Sequence, residues 1–323
     1  GPITARKESV RKNRIATTAR NSLIAFCLAM PLSVSACLNE TGTDRNGNTV
    51  AIYNLTHKGL KQELLTKQSP AEKKRMASYA IEEAKKNPGI NTLNDLTVSL
   101  IRYGRYESAI KNLLLIEKKS PGRYATATNL GTAYELIGNN IEALRWIKLG
   151  IERNQAAHFG TEWLHARILE AKIRKETSSN ISILKLDFGH HVQPLLPKNM
   201  PPGNDGKPVS LFNLGRALRY QLLERTEFVD PPEPIVAGLM FDWANLEARS
   251  GTLESAEILY DVALEYGYPN EKLLSLRQAE VQRILKLPRN PSKTEKECEL
   301  CIQPEISAEE EKVLDKHYLE SRK

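Results

Sequence analysis

The sequence predicts an all-α chain of stacked antiparallel helix pairs with one long inserted loop, and three observations carry that prediction. One pattern recurs 34 residues apart: Leu96 is answered by Leu130, Gly104 by Gly138 and Ala109 by Ala143. Within each copy, apolar residues keep helical spacing on both sides of a glycine turn. Leu93, Leu96 and Leu100 precede Gly104; Ala109, Ile110, Leu113 and Ile116 follow it. The hydrophobic fraction, 41%, supports a continuous core, which such units require because each buries its apolar face only against its neighbours.

Gly104 suits a helix C-terminus because glycine takes a left-handed conformation without steric cost, and Pro121 ends the helix after it. In the second unit, Gly131, Ala143 and Gly150 put small residues where helix backbones approach, with Leu130 and Tyr134 between them. At these positions the chain resembles the tetratricopeptide repeat (TPR) family, which favours Leu-Gly, Tyr, Gly, Ala, an aromatic, Ala and Pro. Thr97 stands where Gly131 does, Ile147 takes the aromatic place and Gln155 replaces the closing proline. The resemblance implies a TPR-like α-solenoid whose first helices line a groove for a protein or peptide partner. The family's usual lining positions fall on Asn94, Val98, Asn129, Thr132 and Glu135, each of which could instead be a solvated helix residue. Members that clamp C-terminal carboxylates carry basic residues in that groove. Here the third unit offers Phe159 and Trp163, which argues against that ligand.

Taken in order, the chain opens with Arg6, Lys7, Arg11, Lys12, Arg14 and Arg20 before an apolar run from Leu23 to Ala36. As a helix this run reaches about 21 Å, short of the roughly 30 Å of a bilayer core. A basic region, a short apolar core and a small-residue exit read as an export signal over residues 1–37. Its end, Val34-Ser35-Ala36-Cys37, resembles the lipobox of bacterial lipoproteins, which implies lipid attachment at Cys37 and a membrane anchor at the cell envelope. The alternative is an ordinary signal cut after Ala36, giving a soluble periplasmic or secreted protein. Six of the 46 Lys and Arg and one of the 39 acids precede residue 38, so the remainder carries 40 basic and 38 acidic residues, a net +2. The apparent basicity belongs to the signal, and no basic stripe argues for nucleic acid.

Residues 38–50 have the Gly/Asn/Thr-rich composition of a flexible tether, and the repeat domain is expected over 51–287. Ser69-Pro70 followed by Glu72 predicts a helix start, and Asn87-Pro88-Gly89 its stop. A third unit begins in register, since Leu164 lies 34 residues after Leu130. It is interrupted over 175–208, where Pro194, Pro197, Pro201-Pro202-Gly203 and Asn204-Asp205-Gly206 describe a long excursion with a short strand at Ile181 to Phe188. Leu211 to Arg225 restores a helix. Gly251, Ala256, Tyr260 and Ala263 mark another repeat, and Asn270 to Leu285 is expected as a capping helix. Residues 288–323 read as a charged, loose tail with one helix from Ser307 to about Ser321. The core is expected to include Leu96, Leu113, Leu130, Tyr134, Ala143, Leu164, Leu214, Trp243, Ala256 and Tyr260.

His158, Glu162 and His165 would share one helical face and could ligate a metal, although they match no zinc signature and Glu162 also reads as a solvated carboxylate. His190-His191 in the excursion is a ligand pair or a polar loop. Cys298 and Cys301 form a lone C-x-x-C, read as a local disulfide or two free thiols. No Ser/His/Asp order, no phosphate-cradling glycine loop and no pair of buried-looking carboxylates stands out, and no cofactor is expected. The reading is a non-enzymatic scaffold or adaptor at the cell envelope. Its alternatives are a metal-dependent envelope enzyme with a site near 175–208, and a structural subunit of an envelope complex.

Overall fold

The computed structural model describes residues 40–52, 57–176, 182–290, 298–300 and 312. The chain is mostly helical. A hairpin of β1 (Glu40–Thr43) and β2 (Thr49–Ile52) precedes α1 (Leu60–Leu65), α2 (Pro70–Lys86), α3 (Ile90–Arg102), α4 (Tyr106–Lys119), α5 (Tyr124–Leu136) and α6 (Asn140–Arg153). A 3-10 turn, Ala157–Gly160, leads into α7 (Glu162–Ile173). After the excursion come α8 (Leu211–Arg225), α9 (Pro234–Ser250), α10 (Leu253–Glu265) and α11 (Glu271–Leu285).

From α2 onward each helix packs on the next. The boundaries follow local chemistry. The Ser69 side chain accepts from Glu72 N–H at 3.2 Å and Pro70 opens α2, as the sequence predicts. Gly104 and Gly138 take φ of 84° and 83°, and beyond each the next N–H reaches back into its helix: Arg105 to Leu100 O at 2.8 Å, Asn139 to Tyr134 O at 2.9 Å. The small residues serve close packing. A Cβ on Gly131 would stand 2.4 Å from Ile147 Cδ1, and one on Gly150 2.9 Å from Thr128 Cγ2.

Leu113, Leu130, Ala143, Leu164, Leu214, Trp243, Ala256 and Tyr260 are buried as expected, while Leu96 and Tyr134 sit half-buried at the cluster edges. One apolar cluster joins α3 to α6; a larger one joins α1, α7 to α11 and the excursion.

Three segments differ from expectation. Residues 40–50, read as tether, form most of the antiparallel hairpin, with Glu40 opposite Ile52 and Thr43 opposite Thr49. Their short polar groups pair locally and with α10. Asp44 Oδ1 accepts from Asn46 and Asn48, and Thr43 donates its N–H (2.9 Å) and hydroxyl (2.8 Å) to Glu254. Composition marks such residues as linker, whereas these bonds tie them to the helices. In the excursion, the described residues 182–188 form no strand. Lys185 takes φ 56°, which breaks the alternation and turns Ile183, Leu184, Leu186 and Phe188 together into the larger core. The expected loose tail is also partly anchored: Leu300 is buried against Gly215, and Asn290 bonds with Gly47 and Thr49 of the hairpin. The expected helix from Ser307 lies outside the described residues, apart from Lys312, which is helical.

α11 forms as expected, with the Asn270 side chain accepting from Leu273 N–H at 3.2 Å. Its Arg277 is 1% exposed and holds the excursion in place by donating to the carbonyls of Gly189 (2.8 Å), His191 (3.1 Å) and Phe188 (3.3 Å).

Candidate functional site

Helices α5, α7 and α8 and the 3-10 turn bring a chain of charged side chains out of solvent. Glu135, one residue before the end of α5, accepts hydrogen bonds from His165 Nε2, Lys172 Nζ and Arg225 Nη1, each at 2.6 Å. A carboxylate there opposes the helix dipole, so these three cations are what make the position tenable. Glu162, the first residue of α7, has the favourable polarity. It accepts from Tyr124 Oη at 2.9 Å and from His158 Nδ1 at 2.7 Å. His165 joins the two carboxylates: its Nε2 reaches Glu135, and its Nδ1 lies 3.7 Å from Glu162 Oε2, beyond hydrogen-bonding distance.

The electrostatics follow from burial and pairing. Desolvation pushes the Glu135 carboxyl up, but Arg225, His165 and Lys172 together hold it well below the usual carboxylate range. Glu162 is likewise held low, against desolvation, by His158 and His165. Burial disfavours the His165 cation, yet the Glu135 hydrogen bond and charge raise its pKa to about 9. Burial and Glu162 push the Tyr124 hydroxyl far up, so it acts as a neutral donor. Glu224, one turn beyond Tyr220 on α8, is pushed up by burial and by the charge of Glu162. Two carboxyls of one site are therefore biased in opposite directions.

The expectation that His158, Glu162 and His165 share a helical face needs correcting. Helix α7 starts at Glu162, and His158 lies before it with φ 52°. A left-handed backbone at His158 and again at Phe159 (φ 58°) swings the imidazole onto Glu162 and against Tyr220, at 5.2 Å between ring centroids and 28° between planes. Nor is Glu162 a solvated carboxylate, since the whole residue is buried; with Glu135 it makes the pair of buried carboxylates that the sequence did not lead us to expect. Two adjacent non-glycine residues in this conformation are strained, and the surroundings over-determine them. Thr161 Oγ donates to His158 O at 2.8 Å, and Gln221 donates to that same hydroxyl at 3.1 Å. Asn204, from the excursion's turn, accepts from Trp163 N–H at 2.9 Å and donates to Gln155 O at 2.8 Å, clamping both sides of the turn.

Phe159 itself is 62% exposed and packs edge-on to Tyr220. Arg216, one turn before Tyr220 on α8, has its guanidinium carbon 5.4 Å from the Phe159 ring centroid and 5.5 Å from that of Phe212.

The positions expected to line a groove separate into two kinds. Asn94 and Val98 on α3 and Asn129 and Thr132 on α5 are half-buried, and Asn129 reaches Asn94 across the two helices at 3.4 Å. Glu135 does not present its carboxylate to solvent, being the centre of the ion cluster. Among the described residues no group of three or more His, Cys, Asp or Glu has the geometry to hold a metal ion. His190 and His191 are exposed, and the His191 carbonyl faces Arg277 on α11. Cys298 is buried beside Val50 and Ile52 and is disulfide-bonded; Cys301 lies outside the described residues. Cys37 is outside them as well.

Sequence reasoning found His158, Glu162 and His165 but missed Arg225, Lys172, Tyr124 and Arg216. No short-range spacing links the members: Glu135 to Arg225 spans 90 residues. No family model matches the chain, and a search of curated proteins finds no match.

The network makes stability pH-dependent with a definite sign. His165 has a folded pKa raised above its unfolded value, so its contribution is complete below about 6.5 and is lost as pH rises through about 9. Glu135 and Glu162 are depressed, so their contribution is present above about 4.5 and is lost as pH falls below it. The contribution of these three groups is therefore expected to peak between about pH 5 and 7, while the raised Glu224 carboxyl opposes their acid limb, its own contribution falling as pH rises. The alkaline decline should amount to a few kcal/mol at about 1.4 kcal/mol per unit, and should flatten in His165→Gln. Urea melts across pH 5–10 check this; an unchanged alkaline limb in His165→Gln would refute it.

Proposed function

We propose that the chain is an exported scaffold or adaptor that holds a protein partner at the bacterial cell envelope, anchored through a lipid on Cys37. On this reading α3 to α6 and the helices after them are TPR-like pairs, and the partner lies along the face carried by α3, α5, α7 and α8. The observation that carries the reading is Phe159: a large apolar side chain, mostly exposed, on a strained backbone fixed by a buried ion network. Strain and a rigid polar support make sense where a side chain must be presented rather than buried. Asn94 and Asn129, paired across α3 and α5, extend that face with adaptable polar groups. The export signal and the cysteine at its exit support the location. Among the described residues no helix is long and apolar enough to cross a membrane.

Site-specific photo-cross-linkers at Phe159 and at Asn129, with a control at exposed Lys111 on α4, test this in intact cells. A discrete protein partner captured from the first two positions and not from the control, with acylated Cys37 in the membrane fraction, is the expected result. No adduct, or a soluble protein without the lipid, would overturn it. Stoichiometric metal that disappears in a His158→Ala/His165→Ala variant would favour the enzyme alternative.

A further inference from the structure

Arg216 is set apart from the other buried or half-buried arginines of this face. Arg225 is paired with Glu135, and Arg219 has Glu63 at 3.9 Å. Among the described residues Arg216 has no carboxylate partner: its one hydrogen bond there runs from Nη2 to Asn213 Oδ1 at 3.0 Å, and its buried Nε–H donates to none of them. Desolvation accordingly lowers its pKa. Leaving a half-buried guanidinium without a counter-charge is costly unless something supplies one.

The geometry around it shows what would fit. Phe159 and Phe212 stand about equally far from the guanidinium carbon, at 5.4 and 5.5 Å, so both rings lie within cation–π reach of it. Among the described residues Nη2 has one partner and Nε is buried, so an incoming carboxylate would meet the guanidinium through Nη1 and the remaining Nη2 hydrogen. Phe159, exposed and rigidly mounted, adds an apolar contact directly alongside.

We propose that Arg216, Phe159 and Phe212 form a recognition subsite for an acidic side chain of the protein partner, seated next to an aromatic or aliphatic residue of the same segment. The subsite rests on the partner-binding reading above and names the chemistry it selects. Charge complementarity decides the occupant: the site holds a cation beside two rings with no counter-charge among the described residues, so a basic or purely apolar segment is disfavoured. A competing occupant is the chain's own Glu309-Glu310-Glu311, which follows Leu300 at its seat beside Gly215.

The test titrates the full chain with a fluorescent peptide of alternating glutamate and phenylalanine, and with its glutamine counterpart, at low and high salt. The glutamate peptide is expected to bind at least about tenfold more tightly, with the preference shrinking in high salt. Arg216→Gln should bring it down to the glutamine peptide's affinity, and Phe159→Ser should weaken both peptides. Arg216→Lys, which keeps the charge and loses the planar fork, should retain only part of the preference. Thermal melts of each variant separate lost binding from lost fold.

Equal affinity for the two peptides, or an affinity indifferent to Arg216→Gln in a folded protein, would overturn the subsite. So would tighter binding by a Glu309→Gln/Glu310→Gln/Glu311→Gln chain, which would identify the tail as the occupant. If peptide selectivity depends on Arg216 but the cellular cross-links capture no partner, the scaffold reading falls and the subsite stands. If cross-links at Asn129 persist unchanged in Arg216→Gln, the reverse holds.

Discussion

Replacing Glu135 by leucine is expected to lower stability by about 3–5 kcal/mol, the range for removing one partner of a buried ion pair. The carboxylate is the common acceptor for His165, Lys172 and Arg225. Without it two cations and an imidazole crowd one another out of solvent, with the Glu162 carboxylate 3.7 Å from His165. The damage should concentrate at the junction of α5, α7 and α8, where hydrogen exchange would report it before global unfolding. A Glu135→Leu/Arg225→Met double variant separates mechanism from simple loss of packing. It removes the strongest orphaned charge, so it should recover part of the loss, because apolar replacement of a whole buried pair is often nearly neutral. Urea denaturation measures both. A cost below about 1 kcal/mol for the single variant would mean that the cluster is solvated, contrary to the burial described here.

The repeat was legible because its determinants are local. Gly104 and Gly138 end helices by their own backbone freedom, Ser69 and Asn270 cap the helices that follow them, and the 34-residue period needs nothing beyond neighbouring residues. The site was legible only as far as it is local. Glu162 and His165 are one helical turn apart and were seen together. Glu135 and Arg225 come from separate helices, and in sequence each looks like a charge on a wetted face. Helix α7 hid its role in a different way: it is buried on nearly every side, so no amphipathic stripe separates functional polar residues from solvated ones. Two adjacent non-glycine residues with positive φ gave almost no sequence signal: histidine is enriched in that conformation but still rarely adopts it, and phenylalanine does not announce it at all. The hairpin at residues 40–52 misled for the opposite reason, its linker-like composition being stabilised by a glutamate over 200 residues away.

Arg277 is where a readable signal was passed over, and it yields the second large effect. On α11 the buried positions are Leu274, Arg277, Val281 and Ile284, so the arginine falls in the apolar stripe at i+3 from one leucine and i−4 from a valine. A cation there must have partners, and the excursion supplies them: the carbonyls of Phe188, Gly189 and His191, with Asn245 Oδ1 at 3.0 Å. Backbone that runs without helix or strand must place its carbonyls somewhere; this guanidinium takes those of Gly189 and His191 and shares that of Phe188 with the Leu195 N–H. Arg277→Met keeps much of the volume and removes every donor. It should cost about 2–4 kcal/mol, since the Gly189 and His191 carbonyls lose their donor at about 1–3 kcal/mol each, while the Phe188 carbonyl keeps the Leu195 N–H and Asn245 Oδ1 keeps the Tyr260 hydroxyl. Arg277→Lys should rescue little, because a single ammonium cannot reach carbonyls spread across the planar fork. The decisive readout is local: limited proteolysis should cut between Gly189 and Met200 in Arg277→Met under conditions where the parent chain resists. Retention of that resistance, with global stability within about 1 kcal/mol of the parent, would show that apolar burial of Ile183, Leu184, Leu186 and Phe188 holds the excursion without the arginine.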